Sequence, residues 1–225
     1  GGKGLNQAVA AARAGAVTTF IGAVGRDDHG AALTRVLDDD GLDRRQLRLS
    51  DESTGQAFIV VDAAGENAIV VASGANATVD SMTDADAAAI SQSSVLLMQL
   101  ELPLSAVADA ARVAGAAGVA VMLNAAPAAS VPADLLGLLD YLVVNEHEAC
   151  LVAGINDLAA ASAKLAELVP RLVVTLGSDG CVLYDGGSEF ARIPARPVEV
   201  VDTTGAGDTF CGALAAALAE VEAEA

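Results

Sequence analysis

Tyr141-Leu142-Val143-Val144-Asn145-Glu146-His147-Glu148 is the stretch that decides the fold. A short apolar run with two β-branched residues reads as a buried strand. It ends at a polar residue, Asn145, and hands over to a helical run from His147 to Ala153. A strand followed by a helix leads to a parallel neighbour, because antiparallel strands are joined by tight turns.

The same unit recurs on both sides. Val95 to Leu100 is a strand run ending in Glu101, followed by a helix from Leu104 to Ala117. Val119 to Leu123 ends in Asn124, and Leu172 to Leu176 ends in Gly177 after a helix from Leu158 to Leu168. Short apolar runs separated by helices predict an α/β fold, a doubly wound and mainly parallel sheet buried on both faces. Ligands of such sheets sit at the carboxyl ends of the strands, where Glu101, Asn124, Asn145, Glu148, Thr175 and Gly177 all fall.

Farther out, Val17 to Val24 reads as a buried strand, Gly25 to Gly30 as a turn, and Ala31 to Asp39 as a helix, with Gly41-Leu42-Asp43 closing that unit. His29, beside two acids in the turn, reads as a surface residue. Thr54 to Val61 and Asn67 to Ala72 are β-rich runs joined by Asp62 to Glu66, which predicts a hairpin inserted at 54–72. Such a flap serves either as a lid that excludes water or as a dimer surface. Cys181 to Tyr184 and Phe190 to Ile193 form a second hairpin about Asp185-Gly186-Gly187. With no linker or internal repeat, residues 1–225 read as one domain.

The composition excludes several functions. The chain of 225 residues is 53 % apolar but only 3 % aromatic, so its core must be aliphatic. Thirty acidic against 12 basic side chains give a net charge of −18, which opposes binding to nucleic acid or to an anionic membrane. No run reaches the ~18 apolar residues of a membrane helix. Cys150, Cys181 and Cys211 have no metal-ligand spacing and suit a reducing, cytoplasmic compartment.

Two Gly-rich helix starts carry the chemistry. Gly1-Gly2-Lys3-Gly4-Leu5-Asn6-Gln7 precedes a helix-forming Ala-rich run that stops at Gly15. Exposed N–H groups with Lys3 and Asn6 as added donors suit a small polyhydroxylated molecule, since each buried hydroxyl needs a partner. Near the other end, an extended Val198 to Val201 runs into Asp202-Thr203-Thr204-Gly205-Ala206-Gly207-Asp208, which opens an apolar helix, Phe210 to Leu218. A helix start favours phosphate, and a carboxylate inside that site suits phosphoryl transfer onto a hydroxyl whose proton Asp208 accepts.

GGKGLNQAVAAARAGA and DTTGAGDTFCGAL, in that order, with LLMQLELPL, LNAAPA, VVNEHEA and VVTLGSDG between them, make the chain resemble the ribokinase-like (PfkB) carbohydrate kinases over nearly its whole length. The resemblance implies a ribokinase-like sheet with a small β lid and ATP-dependent phosphorylation of the primary hydroxyl of D-ribose. It implies Asp208 as the base, and the Gly205, Ala206 and Gly207 amides as the anion hole. Gly2, Lys3, Gly4, Asn6 and Glu101 would hold the sugar. Asn145, Thr175, Leu176, Gly177, Ser178, Asp179, Gly180 and Gly207 would line the ATP site. Asn145 and Glu148 would serve Mg²⁺ through water, Asp202 and the Thr204 carbonyl K⁺, and a homodimer would form through the lid.

The chain departs from the family pattern in having Leu5 for the usual Ala. It also lacks the strand that precedes GGKG and the helices beyond Leu218. Made alone, it is therefore expected to be unstable or inactive. Two alternatives remain: a sister kinase for deoxyribose, fructose or a nucleoside, and a sugar-binding or assembly protein without turnover.

Overall fold

The computed structural model describes residues 1–61 and 67–224, so the expected lid turn Asp62 to Glu66 lies outside the described residues. In chain order the first elements are α1 (Lys3–Arg13), β1 (Thr19–Gly25), α2 (Asp28–Asp39), β2 (Asp43–Ser50), β3 (Gln56–Val61), β4 (Asn67–Ala72) and α3 (Asp84–Ser91). There follow β5 (Val95–Met98), α4 (Leu104–Ala117), β6 (Ala120–Asn124), α5 (Ala133–Leu136), β7 (Tyr141–Asn145), α6 (Glu146–Ala153) and α7 (Leu158–Leu168). The last are β8 (Arg171–Thr175), β9 (Cys181–Asp185), β10 (Ser188–Ile193) and α8 (Ala206–Glu224).

β5, β6, β7 and β8 lie side by side and parallel, and β9 and β10 extend the sheet antiparallel beyond β8. The two-residue period of a strand sends neighbours to opposite faces, and both faces are apolar here. Val121, Leu123, Leu142, Val144, Leu172 and Val174 pack on one side, in a cluster shared with α4, α6 and α7. Met122, Val143 and Val173 face the other side, against Cys211 and Ala215 of α8. Burying each Leu of this core contributes roughly 1.5–3 kcal/mol. The expected doubly wound sheet with an aliphatic core is therefore present.

Local chemistry fixes the helix ends nearest the strand exits. Asn145 caps α6 through its side chain, and Glu148 reaches back to the Asn145 N–H in a capping box. Gly154, at φ 66°, closes the same helix in the left-handed conformation that glycine adopts without strain. α1 lies across α8 with Gly212 at the crossing. A side chain there would strike the Gln7 carbonyl and come within 2.7 Å of the Ala10 Cβ and 2.9 Å of the Ala11 N.

Several expectations shift. The first strand begins at Thr19, and Val17 is fully exposed. β2 carries so many charges that its period was hidden. It is an edge strand parallel to β1 whose arginines pair with acids, Arg44 with Asp38 and Arg45 with Asp43. The run from Val198 to Val201, expected to be extended, pairs with no strand among the described residues, and Val198, Val200 and Val201 are exposed.

β3 and β4 pair antiparallel as the expected insertion. Its two ends are tied together by the Ala75 N–H donating to the Ser53 carbonyl at 2.7 Å. Asp27 anchors its base by accepting from the Thr54 hydroxyl at 2.6 Å and the Thr54 N–H at 2.8 Å. Those bonds and the Gly30 N–H pull the Asp27 carboxyl down to about 2, the hydroxyl contributing most.

The sheet is not continuous. β1 and β2 form a pair apart from the six-stranded sheet, and β1 and β5 have no partner on their facing edges among the described residues. A cavity of about 1370 Å³ lies between them, lined by Phe20, Ile21 and Val24 of β1 and by Val95, Leu97 and Gln99 next to or within β5.

Candidate active site

The parallel strands bring their exits to one end of the sheet. Asn145 and Thr175 are register partners across β7 and β8, and Asn124 ends β6 beside them. α8 begins at Ala206 over this edge, after Gly205 turns the chain at φ 75°. The result is a small cleft of about 210 Å³ whose lining includes Lys3, Asn124, Asn145, Glu148, Thr175 and Asp208, with Gly205, Gly207 and Cys211 beside them. Residues more than 200 positions apart in the chain thus share one chamber.

Asp208 is only 7 % exposed and is held at both oxygens. Oδ2 accepts from the Asn6 side chain at 2.9 Å, and Oδ1 accepts from the Gln7 side chain at 3.0 Å. No cation pairs with it among the described residues. Both of its oxygens are therefore satisfied by neutral amide donors rather than by a cation.

The turn before it divides its donors. The Ala206 N–H is spent on the Thr203 carbonyl at 3.1 Å, and Ala206 does not line the cleft. Gly205 and Gly207 do line it. Of the three turn residues that the resemblance assigns to an anion hole, Gly205 and Gly207 line the cleft and Ala206 does not.

On the Gly-rich side, the Lys3 N–H donates to Glu101 Oε2 at 2.7 Å, so Glu101 orders the first turn of α1. A Cβ at Gly2 would come within 3.4 Å of the same oxygen. Asn6 is committed to Asp208, and Gly4 faces Gln99.

Opposite Asp208, Glu148 is 6 % exposed, and one of its oxygens accepts from the Asn145 N–H at 2.8 Å. Burial raises its carboxyl above the ordinary value of 4.5, and the Asp208 charge adds to the rise. Two carboxylates lie in one chamber with Lys3 as the nearby cation, an arrangement that is short of positive charge. Burial, with the same two carboxylates adding to it, pushes the Cys211 thiol up to about 12, which makes it inert as a nucleophile.

Beyond β8, Thr175 faces the cleft and the chain turns through residues 177–179, closed by the Leu176 N–H donating to the Gly180 carbonyl at 2.8 Å. Gly177, Ser178 and Asp179 are exposed along this rim, whereas Leu176 and Gly180 are half-buried. Asp202 is exposed on the approach to α8 and accepts from the Thr204 N–H at 2.8 Å, which lowers its carboxyl.

The profile of the pfkB family carbohydrate kinases matches residues 1–224. This chain belongs to that family. A ribokinase of Haemophilus influenzae is 42 % identical over 98 % of this pfkB chain and 74 % of its own length. A bifunctional ribokinase/ribose-5-phosphate isomerase A of Fructilactobacillus sanfranciscensis is 40 % identical over 97 % of the chain, which spans 42 % of that longer protein. The structure of Arabidopsis thaliana ribokinase complexed with ribose and ATP superposes with a TM-score of 0.91 at 34 % identity, covering 98 % of this chain and 75 % of that one.

Of the residues expected from the sequence, Lys3, Asn145, Glu148, Thr175, Gly205, Gly207 and Asp208 line this cleft, whereas Gly2, Gly4 and Glu101 line the larger cavity beside β1. Reading the sequence as a pfkB kinase missed Gln7, Gln99 and Cys211, and it gave Asn124 no role beyond its strand exit. Gln7 had a signal, since it lies one residue from Asn6 in the same Gly-rich start. Gln99 lies inside the apolar run Val95 to Leu100, where a lone amide reads as an ordinary strand-end residue. Gln7 reaches Asp208 directly and Gln99 only through Gln7, a link set by how α1 crosses α8.

Proposed function

We propose that this chain, as one ribokinase-like domain over 1–225 with a lid at 54–72, transfers the γ-phosphoryl group of ATP to the primary hydroxyl of D-ribose, giving ribose 5-phosphate. The observation that carries this reading is the Asp208 carboxylate, buried at the mouth of α8 and held at both oxygens by neutral amides. Asp208 takes the hydroxyl proton as the oxygen attacks phosphorus, and the product leaves as the phosphate ester with ADP. The Gly205 and Gly207 amides stand where charge develops on the transferring group. Family membership and the names of the relatives favour ribose, and Lys3, Asn6 and Glu101 suit its hydroxyls.

ATP lies along the rim formed by Asn145, Thr175 and residues 176–180. The donor set fits Mg²⁺: Asn145 and the buried Glu148 offer one amide and one carboxylate, a number that leaves the ion its waters. When bound, the ion neutralises phosphate charge beside two carboxylates. Asp202 and the Thr204 carbonyl are the ligands this chain offers to K⁺. Phe58, Val70 and Val71 are exposed on the lid, which supports a homodimer through that surface. Among the described residues no single helix is long and apolar enough to cross a membrane, and three free thiols suit the cytoplasm.

The test is a panel of ribose, deoxyribose, fructose and adenosine with the full-length protein, ATP and Mg²⁺, with and without K⁺. Ribose is expected to give the highest kcat/KM, and K⁺ to raise it. A preference for another acceptor would overturn the assigned sugar.

A further inference from the structure

We propose that Gln7 is a positioning residue for phosphoryl transfer: its buried amide fixes the orientation of the Asp208 carboxylate and couples it to the end of β5. The proposal rests on the reading of Asp208 as the base.

Gln7 has no exposed surface, although it sits on a helix whose neighbouring residues are partly open. Its Nε2 donates to Asp208 Oδ1 at 3.0 Å and to Asn124 Oδ1 at 3.0 Å. Its Oε1 accepts from Gln99 Nε2 at 2.5 Å. Asn124 Nδ2 in turn donates to the Val143 carbonyl at 3.2 Å. The direction of every amide follows from two groups that can only accept, the Asp208 carboxylate and the Val143 carbonyl. The first turns the Gln7 nitrogen toward Asp208, and the second turns the Asn124 oxygen toward Gln7. The Gln7 oxygen is then left to Gln99. A flipped Gln7 would place oxygen against carboxylate oxygen, so one arrangement is selected.

This chain of amides reaches Asp208 because of backbone packing. Gly212, one turn beyond Asp208 on α8, lets the Gln7 backbone carbonyl approach it closely. At the other end, Gly4 leaves room for Gln99, whose Oε1 would lie 3.0 Å from a Cβ there. A residue with these contacts does more than satisfy its own burial. Asn6, which holds the other carboxylate oxygen, is half-exposed and lies beside the Gly-rich start assigned to the sugar. An arriving hydroxyl can share or displace the Asn6 contact, whereas the Gln7 contact stays in place. The carboxylate therefore keeps one oxygen fixed while the other exchanges partners during the proton transfer.

The test is the full-length protein with Gln7→Met, which keeps the volume and removes the donor, and with Gln99→Met, which leaves the donor but frees its far end. Gln7→Met is expected to lower kcat about 10- to 100-fold with the KM values for sugar and ATP within about threefold, the split of a misaligned base. Gln99→Met is expected to lower kcat by a smaller factor with the same unchanged KM values. Thermal melting reports the folded fraction. Wild-type kcat per folded molecule in Gln7→Met overturns the proposal, as does a loss explained by a smaller folded fraction. If Gln7→Met does not fold, wild-type kcat in Gln99→Met overturns it. Asp208→Ala in parallel separates the two readings: if that variant turns over normally, the assignment of the base fails, and with it the ground for Gln7.

Discussion

Asp208 and Glu148 share a chamber, yet their surroundings differ, and so do the consequences of changing them. Asp208→Asn keeps the shape and offers an amide where a proton acceptor is needed. The expected loss is about 10²- to 10⁴-fold in kcat, with ribose still binding by calorimetry. Turnover within a few-fold of wild type would refute the base. Glu148 is raised by burial, so its folded form holds a proton more tightly than the unfolded chain does. A raised carboxyl contributes stability below its unfolded value near 4.5, and loses it as pH rises through the folded value. At neutral pH the ionised Glu148 is therefore a cost to folding. Glu148→Gln should melt higher than wild type at pH 7.5, with the gain vanishing toward pH 4, while Mg²⁺-dependent turnover falls. A lower melting temperature at pH 7.5 would show that the carboxylate is stabilised by its Asn145 and Lys3 neighbours more than burial penalises it.

Elements carry the next level of consequence. α1 supplies Lys3, Asn6 and Gln7, and α8 supplies Asp208, so the site depends on where these two helices cross. Gly212 sets that distance. Gly212→Val must push the helices apart or bend them, an overpacking cost of roughly 1–3 kcal/mol. The expected outcome is a lower melting temperature together with a fall in kcat larger than that of a similarly destabilising substitution on the far face, such as Leu165→Ala. Equal effects on kcat would mean that the crossing does not control the site. This geometry marks the limit of what was legible in the sequence. Strand exits, the parallel order and the GAGD helix start follow from periodicity and turn chemistry, both local. β2 was lost because its charges mask a strand that one neighbour and the Arg–Asp pairs support. The Gln7–Gln99–Asn124 network was illegible because amides in a helix and at strand ends look like ordinary polar surface until a glycine lets two helices meet.

At the scale of the whole molecule, the break in the sheet decides how the 225-residue chain behaves by itself. β7 and β8 are paired on both edges and their central residues are buried, so their amides are protected by the full stability of the core. β5 pairs with β6 on one edge, and its other edge faces a cavity of about 1370 Å³ shared with β1. Backbone N–H and C=O groups there must be met by water, and water cannot be admitted without wetting Phe20, Ile21, Val95 and Leu97. The physical expectation is a body with two levels of stability: a sheet from β6 to β9 that unfolds cooperatively, and a β1–β2 unit with α1 that opens well before it. Since α1 carries Lys3, Asn6 and Gln7, early opening removes half of the site while the far half stays folded. Hydrogen exchange on residues 1–225 expressed alone should show β1 and the cavity-facing amides of β5 exchanging orders of magnitude faster than Val143, Val144, Val173 and Val174. On heating, turnover should be lost where β1 and α1 open, before the sheet from β6 to β9 unfolds. Uniform protection across β1, β5 and β7, with turnover kept until that sheet unfolds, would mean that packing of α1 on α8 is enough to hold the two parts together.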